Sequence, residues 1–343
     1  MAIAAMSVFA ALLAISSCQS SVESQQNSAR PGSPLIVPAG FPTPPIPADN
    51  RVTWDKFELG RRLFYEKQFS STNTLACASC HSLAAGFCDT NRVSTGILGR
   101  RGARNSPALA NIAYDTAFFW DGRAHTLEEQ AIGPILNPLE LGQDTTVLVA
   151  KLTADPKYPA LFAKAFGDER VTMSRIAKAI ATFERCFLSG GSAYDRYRSG
   201  DSNALTISAK RGFSIFTGSK AHCNSCHSGL NFTDNQYHST GLFSFYVDGG
   251  RANVTHLGSD YGKFLTPSLR NVMMTGPYEH NGRFTLDEVL QHYNMGGKHN
   301  STQDTLIRPL DLSDNDLQDL KAFLFSLTDT AFLRRADFKN PFE

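Results

Sequence analysis

The 343-residue sequence has little that would point to a nucleic acid, a membrane interior or a β-sheet fold. Its 33 Lys and Arg residues nearly cancel its 32 Asp and Glu residues, so the net charge gives no reason to expect binding to nucleic acid or to an acidic membrane surface. No segment alternates apolar and polar residues convincingly, as half-buried strands do. The apolar stretch from Ala2 to Ile15 is too short for a comfortable membrane span. What remains is the composition of an ordinary globular protein, long enough for two domains.

Cysteine is also scarce, yet four of the seven cysteines form two copies of one pentapeptide. The copies are Cys77-Ala78-Ser79-Cys80-His81 and Cys223-Asn224-Ser225-Cys226-His227. This is the attachment signature of c-type haem, in which two thiols form thioether bonds and the following histidine binds the iron. The sequence therefore predicts two covalently bound haems, with His81 and His227 as iron ligands. Zinc is the alternative, because Cys-x-x-Cys pairs also build tetrahedral sites, but zinc gives no reason for a histidine to follow both pairs.

The other three cysteines, Cys18, Cys88 and Cys186, do not look like a disulfide framework. We expect Cys88 and Cys186 to be separate buried thiols, and a disulfide between them in an oxidising compartment is the alternative. Residues 1–18 resemble a bacterial lipoprotein signal in which Cys18 carries the lipid. No lysine or arginine precedes the apolar stretch, however, so an uncleaved anchor or a plain secretory signal is the alternative. Each interpretation exports the protein to the periplasm or cell envelope.

Residues 19–49 are rich in Ser and Pro, and we expect a flexible tether followed by an extended arm. Apolar residues such as Leu35 and Phe41 leave open an arm that packs against a domain. Helical periodicity then dominates. Apolar residues three and four apart from Met173 to Phe187 predict a helix that ends at Gly190-Gly191. Ser313 is the predicted N-cap of another helix, with Asp316 at its third position.

We expect an all-α fold made of two cytochrome-c-like domains, each with one covalently attached haem c. The turn-rich segment from Ser189 to Asn203 predicts the boundary, which gives an N-terminal domain over residues 50–195 and a C-terminal domain over residues 196–343. Both halves show the same order of haem motif, long loop and closing helices, as an internal repeat would.

The segments around both motifs resemble bacterial dihaem cytochrome c peroxidases and the related MauG enzymes. Around the first motif the resemblance rests on Arg104-Asn105-Ser106-Pro107, Phe119-Trp120-Asp121-Gly122-Arg123-Ala124, Leu127-Glu128-Glu129-Gln130 and Asn137-Pro138-Leu139-Glu140. Around the second it rests on Thr266-Pro267-Ser268-Leu269-Arg270-Asn271, Gly276-Pro277-Tyr278-Glu279-His280-Asn281-Gly282 and Thr285-Leu286-Asp287-Glu288-Val289. It covers roughly residues 50 to 330. It implies that peroxide reacts at the N-terminal haem and that electrons enter through the C-terminal haem.

The resemblance also implies roles for three residues near the first haem. Glu140 would be the general acid/base that moves a proton during cleavage of the O–O bond. Gln130 would orient peroxide or water by hydrogen bonding, and Trp120 would lie between the haems and could relay electrons. The alternatives are a solvated surface carboxylate for Glu140 and simple packing for Trp120.

One position departs from typical dihaem peroxidases at the first haem. Many of them carry a histidine that caps the iron until reduction, and the matching position here is Ile97. Because isoleucine cannot ligate iron, we expect a first haem that is open, or only water-ligated, without prior reduction. His125, the next histidine after His81, is expected to be a packing or surface residue.

A second departure concerns the distal ligand of the second haem. Tyr293 stands where typical peroxidases have a methionine, as it does in MauG, and a phenolate would lower the potential of the haem. Met295 is the rival ligand. If both residues belong to the core of the helix that Thr285 and Glu288 open, His280 or His292 would supply the ligand instead.

The resemblance further implies a calcium ion between the domains. Asn105, Thr275 and Pro277 occupy the matching positions, and calcium accepts such neutral oxygen ligands.

The leading interpretation is a dihaem peroxidase that reduces hydrogen peroxide to water with electrons from a small cytochrome c or copper protein. A MauG-like enzyme that oxidises a protein side chain at long range is the first alternative. A dihaem electron carrier is the second, and it would make both irons six-coordinate and Gln130 and Glu140 incidental. No nucleic acid partner is expected, membrane contact is expected only through the lipid anchor, and formation of a homodimer is left open.

Overall fold

The structure is a computed structural model that describes residues 32–343. The predicted lipoprotein signal of residues 1–18, its lipidated Cys18 and the tether over residues 19–31 lie outside the described residues. Within residues 32–343, no helix has the length and apolar character needed to cross a membrane.

Helices dominate the described part of the chain, as the periodicity predicts. Residues 32–343 form ten α-helices, short 3₁₀ turns and one two-stranded antiparallel sheet. The helices are α1 (Trp54–Tyr65), α2 (Leu127–Leu136), α3 (Thr145–Ala154), α4 (Lys157–Phe166), α5 (Met173–Arg185), α6 (Ala193–Arg198), α7 (Ile207–Thr217), α8 (Ala252–Thr255), α9 (Leu286–Met295) and α10 (Asp314–Phe325). The strands are β1 (Tyr237–His238) and β2 (Phe264–Leu265), with Tyr237 opposite Leu265.

Each half of the chain is organised around a pair of packed helices, α1 against α5 and α7 against α10. Glycines mark the closest approach in both pairs. A Cβ added at Gly60 of α1 would overlap the carbonyl oxygen of Ala179, and one added at Gly212 of α7 would overlap that of Asp319. The missing side chain therefore lets each helix lie directly on the backbone of its partner. In each half, one helix of the pair precedes the haem motif and the other follows it.

The two predicted helices are confirmed, and their caps explain their starts. Helix α5 begins after Thr172, whose side chain accepts a hydrogen bond from the backbone N–H of Arg175. Helix α10 begins with a capping box, in which Ser313 accepts from the N–H of Asp316 and the Asp316 carboxylate accepts from the N–H of Ser313. Such reciprocal bonds satisfy backbone donors that the first helical turn leaves free.

Two hydrophobic clusters follow the two halves. The first contains buried rings from α1, α5, the loop between them and the residues just after α5, namely Phe57, Phe64, Phe87, Phe183 and Phe187. The second is centred on Phe216, Phe232 and Phe323. The boundary predicted at residues 195–196 lies within α6 and stays a prediction. The segment after α10 returns to the first cluster, where the Phe338 ring centroid lies 5.1 Å from that of Phe187.

The described part of the N-terminal arm packs against the protein. Leu35 contacts the first cluster, and the Tyr114 hydroxyl donates to the carbonyl oxygen of Pro42 at 2.8 Å. The Arg270 guanidinium lies 4.7 Å from the centroid of the Phe41 ring. The packed arm therefore describes this segment better than a free tether.

Candidate functional site

The two haem motifs adopt the same local structure. In each, the residues from the first cysteine form a 3₁₀ turn, and the ring of the histidine is oriented by a backbone carbonyl. His81 Nδ1 lies 2.7 Å from the oxygen of Phe87, and His227 Nδ1 lies 3.0 Å from that of Phe232. Because a carbonyl can only accept, Nδ1 carries the proton and Nε2 is the atom available to a metal. Burial lowers the pKa of both histidines, which favours the neutral form that binds metal.

The cysteines of the motifs suit thioether bonds better than zinc. Burial raises the pKa of the Cys77 and Cys80 thiols, and it raises the pKa of Cys223 to about 11. A structural zinc site gathers four such ligands around one point. Among residues 32–343, the one group of three potential metal ligands is Cys226, Asp234 and His238, and neither motif histidine belongs to it. The donor sets therefore fit covalent haem rather than a tetrahedral zinc site.

A cavity of about 300 Å³ lies beside the second motif. Cys223, Cys226, His227 and Tyr293 line it together with Trp120 from the first half. Burial raises the pKa of Tyr293 well above its usual value, and the nearby Glu279 carboxyl acts in the same direction. An uncharged phenol is therefore the form of Tyr293 that the protein alone favours.

The rival ligands of the second haem are placed differently. Met295 is 66% exposed and does not line the cavity. His292 is buried, and its Nε2 lies 2.9 Å from the carbonyl oxygen of Thr240. His280 does line the cavity, but its ring stacks on Phe264 with 3.7 Å between the centroids. Of the candidate ligands, Tyr293 therefore lines the cavity and does not stack on another ring there.

Glu140 lies on the segment that follows α2, and it is half-buried. Burial raises its pKa, whereas the hydrogen bond from Asn137 Nδ2 to Glu140 Oε1, at 2.6 Å, and the positive charge of Arg123 act to lower it. The Arg123 guanidinium stacks on Phe119, 3.6 Å from its ring centroid. A carboxyl in such balanced surroundings can both accept and return a proton.

Gln130 and Trp120 differ in how their polar atoms are satisfied. Gln130 lies on α2, and its Oε1 is buried without a hydrogen-bond partner among the described residues. Such an orphaned acceptor is expected where a bound group completes the site. Trp120 is fixed by two bonds, from its Nε1 to the carbonyl oxygen of Asn105 at 2.8 Å and from the N–H of Leu265 to its own carbonyl at 2.8 Å. The indole is therefore anchored within the first half, and the backbone of Trp120 joins that half to strand β2 of the second.

Ile97 is buried next to Glu140. Its backbone N–H donates to the Glu140 carbonyl at 2.9 Å. The preceding Gly96 lies so close to the chain at Leu139 that a Cβ there would overlap the Leu139 carbonyl oxygen. The loop is thus held against the segment that carries Glu140. His125, by contrast, is exposed.

Comparison with known proteins gives the family. The sequence model of the di-haem cytochrome c peroxidases matches residues 54–203. Methylamine utilization protein MauG from Methylorubrum extorquens is 39% identical over 288 residues, which cover 82% of this chain and 81% of that protein. The chain belongs to the di-haem cytochrome c peroxidase family.

Other members of the family are similar over most of their length. Cytochrome-c peroxidase IdrP1 from Pseudomonas sp. (strain SCT) is 35% identical over 84% of this chain and 85% of its own. The crystal structure of a MauG-like protein associated with microbial copper homeostasis superposes with a TM-score of 0.86 at 34% identity, covering 90% of this chain and 99% of that one. The protein is therefore an oxidoreductase of the cytochrome c peroxidase type, and its family implies two haem c groups.

The internal repeat of this di-haem peroxidase extends to single residues. Phe118 bridges to Ala124 in the first half, as Tyr278 does to Phe284 in the second. The next residue has a left-handed backbone in both, with φ of 66° at Phe119 and 69° at Glu279. The two halves therefore present different side chains at equivalent positions, a ring in the first and a carboxyl in the second.

Helices α2 and α9 also correspond. Each begins after a threonine N-cap, Thr126 or Thr285, whose side chain accepts from a backbone N–H in the first turn. Eight residues beyond the cap stands Pro134 in α2 and Tyr293 in α9. The position that offers a phenol to the second half therefore offers only a proline to the first.

The sequence alone assigned no role to two charged residues near the sites. Arg123 acts on the pKa of Glu140, and Glu279 lines the cavity beside Tyr293 with its own pKa raised to about 7 by burial. The pairing of Phe119 with Glu279 in the repeat was the available signal. Their burial and neighbours depend on tertiary packing, which spacing alone does not give.

The residues implied for calcium share one wall. Asn105, Thr275 and Pro277 line the cavity, together with Cys88. The Cys88 thiol donates to the carbonyl of Ser106 at 3.1 Å and to that of Thr275 at 3.6 Å, and Asn105 Nδ2 donates to the carbonyl of Arg92 at 3.1 Å. Oxygen donors are present, so the residues suit a hard cation, and the calcium site stays a prediction. Cys88 and Cys186 are both buried free thiols, as expected.

Proposed function

We propose that this family member is a peroxidase that reduces hydrogen peroxide to water at the first haem with electrons received singly at the second. The observation that carries the proposal is the position of Glu140, a half-buried carboxyl with a raised pKa held beside Ile97 by a backbone hydrogen bond. The chemistry needs a group of this kind, because splitting the O–O bond moves a proton from the inner oxygen to the departing one.

The side chains of the first half divide this work. Glu140 takes the proton from the inner oxygen and returns it to the outer one, and Asn137 holds its carboxyl in place at 2.6 Å. Gln130 uses its unpartnered Oε1 to accept a hydrogen bond from peroxide or water. Arg123 favours the carboxylate form between turnovers. The haem held by Cys77, Cys80 and His81 would supply the metal site that binds peroxide and exchanges electrons with it.

The side chains of the second half serve electron transfer. His227 and Tyr293 lie on the cavity where the second haem, attached to Cys223 and Cys226, would have two protein ligands. With two protein ligands the iron of that haem would only pass electrons, and a phenolate from Tyr293 would favour its oxidised state. Trp120 also lines this cavity, at a position suited to a relay toward the first half.

Ile97 supports a first site that needs no activation. An isoleucine at the position of the capping histidine cannot block the iron, and the loop that carries it is pinned to the Glu140 segment. The oxidised protein is therefore expected to react with peroxide directly.

One experiment tests these points together. Electron paramagnetic resonance and visible spectra of the fully oxidised two-haem protein are recorded before and after stoichiometric peroxide, with and without prior one-electron reduction. A high-spin signal that reacts at once is expected. Two low-spin signals and no reaction until reduction would refute the open first site, and no reaction in either state would favour an electron carrier.

Replacement of Glu140 tests the proton chemistry. Glu140→Gln retains an oxygen that can accept from Asn137 but cannot take up the proton, so we expect peroxide cleavage to slow by roughly 10²- to 10⁴-fold with both haems still bound. Glu129→Gln is the matched control, because Glu129 is exposed and its carboxylate only accepts from the backbone N–H of His125. Unchanged cleavage in Glu140→Gln would remove Glu140 from the mechanism.

A MauG-like activity is the second candidate. Tyr293 and Ile97 favour it, as does the 39% identity to a methylamine utilization protein MauG. In that activity the two electrons that reduce peroxide would be drawn from a protein side chain instead of from a small electron donor. If a reduced small cytochrome c or copper protein rapidly returns the peroxide-treated protein to its resting spectrum, the result would support the peroxidase. If only a particular protein does so, and that protein becomes covalently modified, the result would support the alternative.

Export belongs to the same proposal. Covalent haem c is attached outside the cytoplasmic membrane in bacteria, which favours a periplasmic or envelope location. Four further points stay predictions. They are lipidation at Cys18, the domain boundary between residues 195 and 196, a homodimer, and a calcium ion at Asn105, Thr275 and Pro277.

A further inference from the structure

The chain between strands β1 and β2 makes a long excursion, residues 242–262, that exposes apolar side chains. Phe245 is 74% exposed, Val247 is 98% exposed and Leu257 is 56% exposed. Exposed large apolar residues that gather on one segment mark an interaction site more often than single ones do. We call these three residues the apolar loop residues.

The charges of the same excursion are engaged within the protein. Asp248 pairs with Arg104 at 2.6 Å, and Arg251 donates to the carbonyl oxygens of Asp121 and Gly122. Asp260 accepts from Thr255 at 2.8 Å. What the excursion offers to a partner is therefore mainly apolar.

Behind this surface, aromatic rings connect solvent with the cavity of the second half. The Phe245 ring lies 6.0 Å from that of Tyr261, and Tyr261 lies 6.1 Å from Tyr246. Tyr246 is buried and lies 6.1 Å from His280 and 6.0 Å from Phe264, both of which line the cavity. The rings of Phe245, Tyr261 and Tyr246 therefore form a continuous series from the surface to the wall of the cavity.

The buried ring of this series is rigidly held. The Tyr246 hydroxyl accepts from the backbone N–H of Leu242 at 2.9 Å, and the backbone N–H of Tyr246 donates to the Tyr261 hydroxyl at 2.9 Å. Gly262 has φ of 69°, and a Cβ there would lie 2.5 Å from the Tyr246 ring. Only glycine permits both this backbone and this contact.

We propose that Tyr261, Tyr246 and the His280–Phe264 stack form the path by which electrons reach the second haem, and that a small redox protein docks on the apolar loop residues to supply them. The proposal rests on the proposed function, and it names the surface and the path that this function uses. The occupant is a small cytochrome c or copper protein with an apolar patch around its metal, since only a one-electron carrier would use a surface connected to the cavity by rings. Such encounters bury little area, in keeping with a three-residue patch.

The electrons balance without oxidising any ring. Each docked donor loses one electron, and the rings carry it by tunnelling without gaining or losing protons. Two such deliveries, with two protons from solvent, reduce one hydrogen peroxide to two water molecules.

The test runs the transfer in reverse, because a haem of lowered potential gives an electron to a cytochrome c or blue copper protein more readily than it takes one, and both directions use the same surface and path. The two-haem protein is reduced with dithionite and kept without peroxide, so the test does not depend on peroxide chemistry. An oxidised monohaem cytochrome c and an oxidised blue copper protein are the probes, and stopped-flow absorbance follows oxidation of the second haem. The dependence of the rate on probe concentration gives a dissociation constant and a limiting rate. The double variant Val247→Asp/Leu257→Asp should raise the dissociation constant about tenfold or more at an unchanged limiting rate. Ile207→Asp, at a side chain 75% exposed on α7, is the matched control and should change neither.

The path is tested separately. Tyr261→Leu removes a ring and should lower the limiting rate at an unchanged dissociation constant, whereas Tyr246→Phe keeps the ring and should retain the wild-type rate. Visible spectra of the variants must match the wild type, which shows that both haems remain bound.

Several outcomes would overturn the proposal. They are a dissociation constant in the double variant equal to that of Ile207→Asp, a limiting rate in Tyr261→Leu equal to the wild type, or no oxidation of the reduced wild type by either probe. Binding of the wild type to phosphatidylethanolamine and phosphatidylglycerol vesicles that the double variant abolishes would assign the apolar loop residues to a membrane instead. Failure of peroxide cleavage in the earlier experiment leaves these measurements unaffected.

Discussion

Arg104 joins the excursion at residues 242–262 to the segment that carries Trp120, and its removal gives the sharpest test of this contact. Its Nη1 bonds to Asp121 at 2.6 Å, and its Nε and Nη2 bond to the two carboxylate oxygens of Asp248 at 2.6 and 2.8 Å. Arg104→Met keeps most of the apolar stem but removes all three bonds, together with the guanidinium that lies 5.8 Å from the centroid of the Phe264 ring. The variant leaves Asp248 without its main partner, while Asp121 keeps Arg123 at 3.0 Å.

The expected cost follows from this geometry. Removal of one partner from a fully buried ion pair costs about 3–5 kcal/mol, because the remaining charge stays uncompensated. The side chains of Arg104 and Asp248 are each about one-fifth exposed. We therefore expect a cost at the lower end of this range, about 3 kcal/mol at pH 7. Burial alone would raise the pKa of Asp248, but the bond from Arg104 holds it below its usual value. Arg104 therefore stabilises the fold above pH ~4, and its contribution is lost as the pH falls through the lowered pKa of Asp248.

The free energy of unfolding of the wild type, Arg104→Met, Asp248→Asn and the double variant can be measured by urea denaturation. Asp248→Asn removes the uncompensated charge, so the cost of Arg104→Met should shrink by about 2 kcal/mol in that background. The cost should also shrink at pH 3, where the carboxyl of the variant is protonated. A cost of Arg104→Met that is the same in both backgrounds, and the same at pH 7 and at pH 3, would refute the reasoning.

Three further predictions concern packing, a buried carboxyl and the first haem. Gly212→Ala should lower the free energy of unfolding by about 1–3 kcal/mol, because the new Cβ overlaps the backbone of α10, whereas Gly258→Ala, whose Cβ would meet nothing within 4 Å, should change it by less than about 0.5 kcal/mol. Glu184 is buried with one carboxyl oxygen unpartnered, and burial raises its pKa to about 8. The folded state thus holds a proton that the unfolded state releases, so stability should fall by ~1.4 kcal/mol per pH unit between pH ~4.5 and 8, and urea midpoints of Glu184→Gln should lack this slope. Ile97→His should convert the oxidised first haem from high-spin to low-spin in electron paramagnetic resonance and delay the reaction with peroxide until reduction; an unchanged high-spin signal would contradict the alignment of Ile97.

Much of the fold could be predicted because its signals are local. The helix over Met173–Arg185 and the capping box of Ser313 and Asp316 follow from residue spacing within a few turns. The return of Phe338 to the first hydrophobic cluster could not be predicted in this way. Its aromatic partners Phe57, Phe87, Phe183 and Phe187 lie more than a hundred residues away, and the short irregular segment after α10 has no periodicity that would predict the contact.

The candidate site, too, could be predicted only where the signal is local in sequence. The pentapeptides predict haem attachment because the thioether chemistry fixes the spacing of Cys77, Cys80 and His81. Resemblance supplied Glu140 and Gln130, whose distance from the motif in sequence carries no chemical rule. Glu279 escaped both approaches, since its raised pKa results from burial in a cavity that only the folded chain forms.

The comparison of the two halves explains how one repeat can yield two unequal sites. The proximal side is preserved, because each motif histidine bonds through Nδ1 to a phenylalanine carbonyl. The distal side is not, because the helix position eight residues beyond the threonine cap is Pro134 in one half and Tyr293 in the other. A proline offers no ligand and a tyrosine offers one, so in the proposed function this difference would leave the first haem open to peroxide and give the second haem another protein ligand. We therefore expect substitutions at these two helix positions to alter the roles of the halves more readily than changes to the haem motifs.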